Sequence, residues 1–472
     1  MTMPGTTQAV GAPASWALWR GELAETAKLA LPIALTQLGQ VAMMTSDLAL
    51  IGRLGDAAVA AAALAHTVFF TLFVLGMGPV AAVTPLASQY FGARAPRMVR
   101  RSLRVGLWAT VILGLPLSVA QLWGNELLVA LGQSRATAAL AQRYLDGFAW
   151  CLVPTFFFMA LRNFMGAVNR PEPGLWITLV AIPANTLLAY LMIYGAFGWP
   201  GLGLLGAGLA TTAIDIAMCI AAIWVCYARR PFRKYHVLGN WWRADWVLMK
   251  QLIAVGAPMS GAFLLEYGVF AAAAQMMGWL GTRALSAHQV ALQVAAIMFM
   301  VPLGIGMAAT VRVGHAAGRG DAAATRRAGF AAVALGIVFM AAMTVLVSAT
   351  RETLPLLFFG RDAADPATVA LAASLLMFGA SFFIADGVQT IAAGALRGLN
   401  DTRVPLIFAA ISFWLVGFTG CWLFGFALRF AAQGIWLGFT LGLIIYAALL
   451  VTRFHRLTAR HYLPAIVTTA PS

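Results

Sequence analysis

Long apolar segments alternate with short polar connections along almost the whole chain. Each segment is long enough to cross a bilayer as a helix, because about 20 apolar residues span the hydrocarbon core. This pattern predicts an all-α polytopic membrane protein with twelve transmembrane helices. The predicted spans are residues 29–52, 57–90, 104–124, 137–161, 174–196, 203–228, 249–279, 284–311, 328–350, 367–396, 404–427 and 434–452.

The first six segments resemble the last six. A shift of 226 residues superimposes a proline, two glycines and an arginine pair, namely Pro32 on Pro258, Gly55 on Gly281, Gly78 on Gly304 and Arg100-Arg101 on Arg326-Arg327. Six spans in each half give both halves the same orientation, related by a pseudo-twofold axis along the membrane normal. We therefore predict two six-helix bundles, an N-terminal one over residues 1–238 and a C-terminal one over residues 239–472, that enclose a central cleft.

Composition and charge agree with a membrane protein. Hydrophobic residues make up 61% of the chain and charged residues 10%, against about 25% charged in soluble proteins. The net charge of +15 does not indicate nucleic-acid binding, because the charges lie between apolar segments. Both termini and the even-numbered connections hold 24 of the 31 lysines and arginines. This side, called the basic side below, is predicted to be cytoplasmic.

Four acidic residues lie inside predicted spans, at Asp47, Asp215, Glu266 and Asp386. A charge at mid-span costs about 2.5–3.5 kcal/mol on insertion scales, so function is the first hypothesis for each. Asp47 has an alternative, because it can pair with Arg53 six residues later. For Asp215 the alternative is structural hydrogen bonding to a neighbouring helix. Glu266 and Asp386 have no basic residue within ten positions, which favours a functional role.

A buried carboxyl group offers two kinds of cation chemistry. Away from water it resists ionisation, so it can bind and release a proton near neutral pH. Alternatively, it stays ionised by coordinating Na⁺ together with other oxygen atoms. Candidate polar neighbours are Asn185, Gln289, Gln293 and Gln389, although each amide can equally serve helix–helix hydrogen bonding. The four cysteines show no metal-ligand spacing, and we expect no cofactor apart from the coupling ion.

Three stretches of the C-terminal half resemble a known family. They are "GAPMSGAFLLEYGVF" (256–270), "SAHQVALQVAAIMFMVPLGIGMAATVRVGHAAGRG" (286–320) and "AGALRGLNDTRVP" (393–405). These motifs are similar to those of the multidrug and toxic compound extrusion (MATE) transporters, in particular the NorM-like branch. The resemblance extends from about Leu29 to Arg456. It implies a V-shaped antiporter of the bacterial inner membrane that exports small cationic, amphipathic drugs and takes up Na⁺ or H⁺.

The resemblance also assigns roles to particular residues. The family's coupling-cation site matches Glu266 and Asp386, which would be the Na⁺ ligands if coupling is to sodium. Asp47 matches an acidic position of the N-terminal bundle implicated in transport, and Asn185 matches a polar position of the fifth span. One turn before Asp386, some relatives have a tyrosine where this chain has Phe382, which offers no oxygen ligand. We expect a monomer in the lipid bilayer with both termini in the cytoplasm.

Two other functions fit an apolar chain of twelve spans. A flippase for a lipid-linked precursor has the same architecture, but it would need intramembrane cations, whereas the deep charges of this sequence are acidic. An integral membrane enzyme would need clustered metal ligands or a nucleophile and base, and the chain has no DDxxD, HExxH or GxSxG motif. The sequence leaves the choice between Na⁺ and H⁺ open.

Overall fold

The computed structural model describes residues 15–195, 200–237, 239, 242, 245–359 and 365–464, and no strand occurs among them. Ten helices are long and apolar enough to cross a membrane, and two further spans are bent pairs of helices. The twelve predicted spans are therefore confirmed as helical. In chain order they are α1 (Ser15–Gly52), α2 (Asp56–Gly92), α3 (Pro96–Ala130), α4 (Arg135–Phe148 and Leu152–Ala167), α5 (Glu172–Tyr194), α6 (Gly203–Ala228), α7 (Trp246–Leu280), α8 (Thr282–Gly318), α9 (Ala322–Thr350), α10 (Pro366–Gly398), α11 (Arg403–Ala427) and α12 (Ala431–Ala459).

Several of the spans depart from a regular α-helix. The two parts of α4 meet at 49°, and α10 bends by 48° between residues 366–379 and 381–398. In α11, π-helical turns occupy Ala410–Phe418 and Leu423–Ala427. Irregular turns within helices often mark functional sites. The bend in α10 comes just before Asp386, one of the four acids singled out above.

The glycines matched by the internal repeat adopt matching conformations. Gly55 precedes α2 with φ 105° and ψ 168°, and Gly281 precedes α8 with φ 117° and ψ 169°. Side chains rarely adopt such a positive φ, so glycine is needed at both positions. The two halves therefore turn from their first span into their second in the same way.

Each six-helix bundle has its own packed interior, but the two interiors meet on the basic side. There, Leu29 and Ile33 of α1 pack against Ile305 of α8 in one buried cluster. Reciprocally, Leu252 of α7 is buried among residues of the N-terminal bundle. The first helix of each half thus packs against the other half. Residue 238, the predicted end of the first half, lies outside the described residues, and the division of the chain there remains a prediction.

The closest approach between the bundles is repeated by the pseudo-twofold symmetry. A Cβ atom at Gly92 would lie 2.2 Å from the carbonyl oxygen of His315, and one at Gly318 would lie 2.0 Å from that of Gln89. Gly92 and Gly318 are 226 residues apart, and so are Gln89 and His315. The same contact therefore occurs twice, and in each case only a glycine lets the backbones meet.

Polar interactions reinforce this contact on the basic side. Arg312 of α8 donates two hydrogen bonds, of 2.8 and 2.9 Å, to the carboxylate of Glu22 in α1. Arg101 of α3 forms a salt bridge with Asp245, which caps α7. Deepest among them, the backbone N–H of Gly78 donates to the hydroxyl of Ser260 at 2.9 Å. The Ser260 hydroxyl in turn donates to the carbonyl oxygen of Leu75 at 2.9 Å. These bonds join the two bundles from this level to the basic side, and the structure is closed there.

Candidate cation-coupling site

Two carboxyl groups of the C-terminal bundle share one amide group. The Nε2 atom of Gln389 lies 3.0 Å from Oε1 of Glu266 and 3.1 Å from Oδ1 of Asp386. Asp386 and Gln389 are three residues apart on α10, so their side chains project from one face of that helix toward Glu266 on α7. Two of the predicted site residues and one of the predicted supporting amides are therefore brought together.

The shared amide cannot satisfy all of its neighbours. Nε2 of Gln389 also lies 3.0 Å from the hydroxyl of Thr390, which gives it three acceptors. An amide nitrogen carries only two hydrogens, so one acceptor lacks a donor at any moment. A proton on Glu266 or Asp386, or a cation between them, would satisfy the group that is left over. The oxygen atoms of these two carboxyls and of Thr390 are the ligand type that hard cations prefer.

An aromatic cluster covers one side of the carboxyl pair. The ring of Phe382, one turn before Asp386, is 1% exposed. It packs against Trp436 and Phe439, with ring centroids 5.3 and 5.7 Å away, and Phe270 of α7 packs on Phe439 at 4.6 Å. The cluster keeps water from this side of Asp386 but offers no oxygen ligand. Where some relatives have a tyrosine, this chain therefore has a packing residue.

The other predicted amides do not join this site. The side chains of Gln289 and Gln293 are on the exposed side of α8. Within the part of the chain that the structure describes, neither amide donates a hydrogen bond to Glu266 or Asp386. Their four-residue spacing does place them on a common helix face, as predicted.

A second acidic site lies in the N-terminal bundle. Asp47 of α1 is 7% exposed and accepts a 2.6 Å hydrogen bond from Nδ2 of Asn185 in α5. Its other oxygen accepts a 3.2 Å hydrogen bond from the hydroxyl of Thr211 in α6. The predicted pair of Asp47 and Asn185 is therefore in direct contact. The alternative partner, Arg53, forms no salt bridge with Asp47 among the described residues.

The second acid inside a span of the N-terminal half holds helices together. The carboxylate of Asp215 accepts hydrogen bonds from the hydroxyl of Thr155 and from the thiol of Cys151, the latter at 3.0 Å. Both donors belong to α4 or to its internal bend, whereas Asp215 lies on α6. The alternative of structural hydrogen bonding to a neighbouring helix is thus what the structure contains. Asp215 lies one turn from Thr211, so the two acidic groups of this bundle are neighbours.

Two arginines of the predicted connections lie inside helices instead. Arg162 of α4 donates a 3.2 Å hydrogen bond to Oε1 of Gln40, the residue that matches Glu266 in the repeat. Arg397 of α10 lies 4.9 Å from the ring of Phe263, one turn before Glu266. Both arginines lie near the ends of their helices on the basic side, and Arg397 belongs to the last turn of α10.

Sequence reasoning missed the threonines of both sites. Thr390 and Thr211 carry no mark of function in the sequence, because a threonine within a helix usually bonds to the carbonyl one turn earlier. Thr211 in fact makes that bond too, at 3.2 Å to Ala207. The available signal was their spacing, since Thr390 follows Gln389 directly and Thr211 lies four residues before Asp215.

Comparison with known proteins agrees with the repeat. The MatE family profile matches residues 32–191 and 258–423, two stretches that begin 226 residues apart. One similar protein is "Probable multidrug resistance protein NorM" of Rhodopseudomonas palustris, 64% identical over 97% of both chains. A protein with the same description from Bradyrhizobium diazoefficiens is 56% identical over 93% of this chain and 94% of its own.

A solved structure shows the same arrangement of helices. The crystal structure of the eukaryotic MATE transporter AtDTX14 superimposes with a TM-score of 0.82, covering 94% of this chain and 99% of that one at 18% identity. At this identity the likeness concerns the fold alone. Together with the family profile and the NorM relatives, it shows that this chain belongs to the MatE family of multidrug and toxic compound extrusion transporters, as its motifs predicted.

Proposed function

We propose that this chain is a secondary active antiporter that exports cationic, amphipathic compounds in exchange for Na⁺ or H⁺. Relatives up to 64% identical are described as multidrug resistance proteins, which supports the substrate class. The observation that carries the coupling mechanism is the carboxyl pair of Glu266 and Asp386, joined through the single amide of Gln389. Such a pair changes its charge when it takes up a cation, inside a bundle that must move during transport.

The charge of this pair links the two transported species. With both carboxyls ionised, the C-terminal bundle attracts a cationic drug into the cleft. A proton or Na⁺ that binds to Glu266 and Asp386 removes this attraction and lets the drug leave. Because drug and ion favour different charge states of one site, the binding of either one weakens the binding of the other. Asp47, held by Asn185 and Thr211, would provide a further group for a proton or a cationic drug in the N-terminal bundle.

The closed basic side suggests where the drug leaves in this state. By the positive-inside rule the basic side faces the cytoplasm, with both termini there, in a bacterial inner membrane. Contacts such as the salt bridge between Glu22 and Arg312 then seal the cytoplasmic side. In this state the cleft would open toward the periplasm, and the return step would separate the glycine contacts of Gly92 and Gly318.

Replacement of Glu266 by glutamine tests the proposal. The variant E266Q keeps the shape and the hydrogen bond to Gln389 but cannot ionise, so gradient-driven efflux of a cationic dye should fall to the level of vesicles without the protein. Glu352, an exposed residue after α9, provides the matched control E352Q, which should transport normally. Normal efflux by E266Q, at equal amounts of protein in the membrane, would exclude Glu266 from coupling.

A further inference from the structure

A groove opens on the surface of the N-terminal bundle, and none of the residues of the two acidic sites lines it. It lies between α5 and α6 near the basic side and has a volume of about 910 Å³. This volume is within the range of sites that bind small molecules, about 300–1,000 Å³. Trp176, Val180 and Trp224 on its walls are large, apolar and exposed, as expected of side chains that contact lipid.

The inner part of the groove is apolar. Buried side chains of Ala181, Ile214 and Met218 form its floor, and each is less than 8% exposed. The indole rings of Trp176 on α5 and Trp224 on α6 line its two sides and are 65% and 59% exposed. Tryptophans with this exposure are typical of the membrane–water interface. The groove therefore begins at headgroup depth and continues toward the hydrocarbon core.

The end of the groove on the basic side is lined by cations. Arg170, Arg229 and Arg230 line it together with one acid, Glu172. All three arginine side chains are exposed, and the structure gives none of them a salt bridge within the described part of the chain. An adjoining cavity of about 390 Å³ shares Arg170 and Glu172 with the groove and adds Lys28, Lys234 and Glu25. Five basic groups thus face two acidic ones around this mouth.

From this arrangement we infer that the groove between α5 and α6 binds an anionic phospholipid of the basic-side leaflet. Its phosphate lies at Arg170, Arg229 and Arg230, and an acyl chain occupies the apolar groove between the two tryptophans. Arginine suits a phosphate because its planar guanidinium donates two parallel hydrogen bonds. Basic pockets between spans on the cytoplasmic side bind anionic headgroups for the same reason. A cationic drug is repelled at this mouth, so the groove is not a second entrance for the exported compounds.

Lipid binding to the purified, full-length protein in detergent micelles tests the inference. Native mass spectrometry would compare phosphatidylglycerol with phosphatidylcholine of the same acyl chains. The wild-type protein should bind phosphatidylglycerol more tightly. The triple variant R170Q/R229Q/R230Q should bind it about 100-fold more weakly, since each of the three basic groups near a headgroup contributes about 1 kcal/mol and 1.4 kcal/mol is tenfold.

Two further variants separate a lipid site from general surface charge. The control R403Q/R456Q/R460Q removes three exposed arginines from the basic side of the C-terminal bundle and should stay within about twofold of the wild type. The variant A217W keeps the arginines but replaces an exposed alanine that lines the groove by a tryptophan, whose indole fills part of the groove. Phosphatidylglycerol should therefore bind more weakly. Equal binding of the two lipids to the wild type, an equal loss in the control, or unchanged binding by A217W would each overturn the inference.

Discussion

A single methyl group at Gly318 should loosen the closed side of the protein. In the variant G318A the new Cβ would lie 2.0 Å from the backbone oxygen of Gln89, where real Cβ atoms essentially never approach within 3.0 Å. The obstacle is a main-chain atom, so no side chain can rotate out of the way. Overpacking of this kind costs about 1–3 kcal/mol. This cost applies only while the two bundles touch. The ratio of molecules with an open basic side to molecules with a closed one should therefore rise about 5- to 150-fold.

The accessibility of a buried cysteine measures this ratio. Val311 is 1% exposed and lies in the cluster in which α1 and α8 meet, two turns before Gly318. The substitution V311C changes the side-chain volume little and would be made in a chain whose four native cysteines are replaced. A membrane-impermeant maleimide applied from the basic side should label V311C slowly in the closed protein. Adding G318A should raise the labelling rate at least about fivefold.

Gly278 provides the matched control for this experiment. It also lies inside a long helix, but a Cβ atom there would meet nothing within 4 Å. Both glycine-to-alanine changes stiffen a helix by a similar amount, about 0.5–1 kcal/mol, so their difference isolates the inter-bundle clash. Equal labelling rates in G318A and G278A would refute the conclusion that this backbone contact keeps the basic side closed.

Three further substitutions test individual contacts. Gln389→Leu removes the amide that joins the carboxyl pair, and hydrogen bonds to charged groups contribute about 1.5–3 kcal/mol, so dye efflux should slow about tenfold or more; unchanged efflux would contradict this role. Asn185→Leu leaves Asp47 without its 2.6 Å donor and should lower the free energy of unfolding by about 1–3 kcal/mol, measured as a fall in melting temperature. Glu22→Gln breaks the two-bond salt bridge to Arg312 and should speed labelling of the buried probe cysteine, whereas an unchanged rate would show that the bridge does not hold the bundles together.

The features with a clear periodic or compositional cause could be predicted from the sequence. Segment length and apolar composition predicted all twelve spans, because the bilayer sets a minimum helix length. Gly55 and Gly281 indicated the repeat, because both positions demand a backbone that only glycine adopts easily. The acids stood out because charge inside a span is costly, and the structure places Glu266 and Asp386 together.

The contacts between distant helices could not be predicted in the same way. The sequence places Gln389 one turn after Asp386, but it does not show that this amide also reaches Glu266 on another helix, or that Gln289 and Gln293 lie on the exposed side of α8. The rotation of each helix about its own axis decides this, and an almost wholly apolar span has little amphipathic pattern to reveal it. The end of a span is also hard to place from composition. The predicted fourth span stops at residue 161, although the helix continues and Arg162 lies inside α4, where it bonds to Gln40.

The most direct test of the coupling mechanism imposes the pH and Na⁺ gradients separately on proteoliposomes and follows efflux of a cationic dye. The wild-type protein should respond to at least one gradient, and E266Q, in which Glu266 can no longer ionise beside Asp386, should respond to neither. Dye movement in the wild type that ignores both gradients would contradict antiport with these ions, and a gradient response retained in E266Q would contradict coupling through the carboxyl pair.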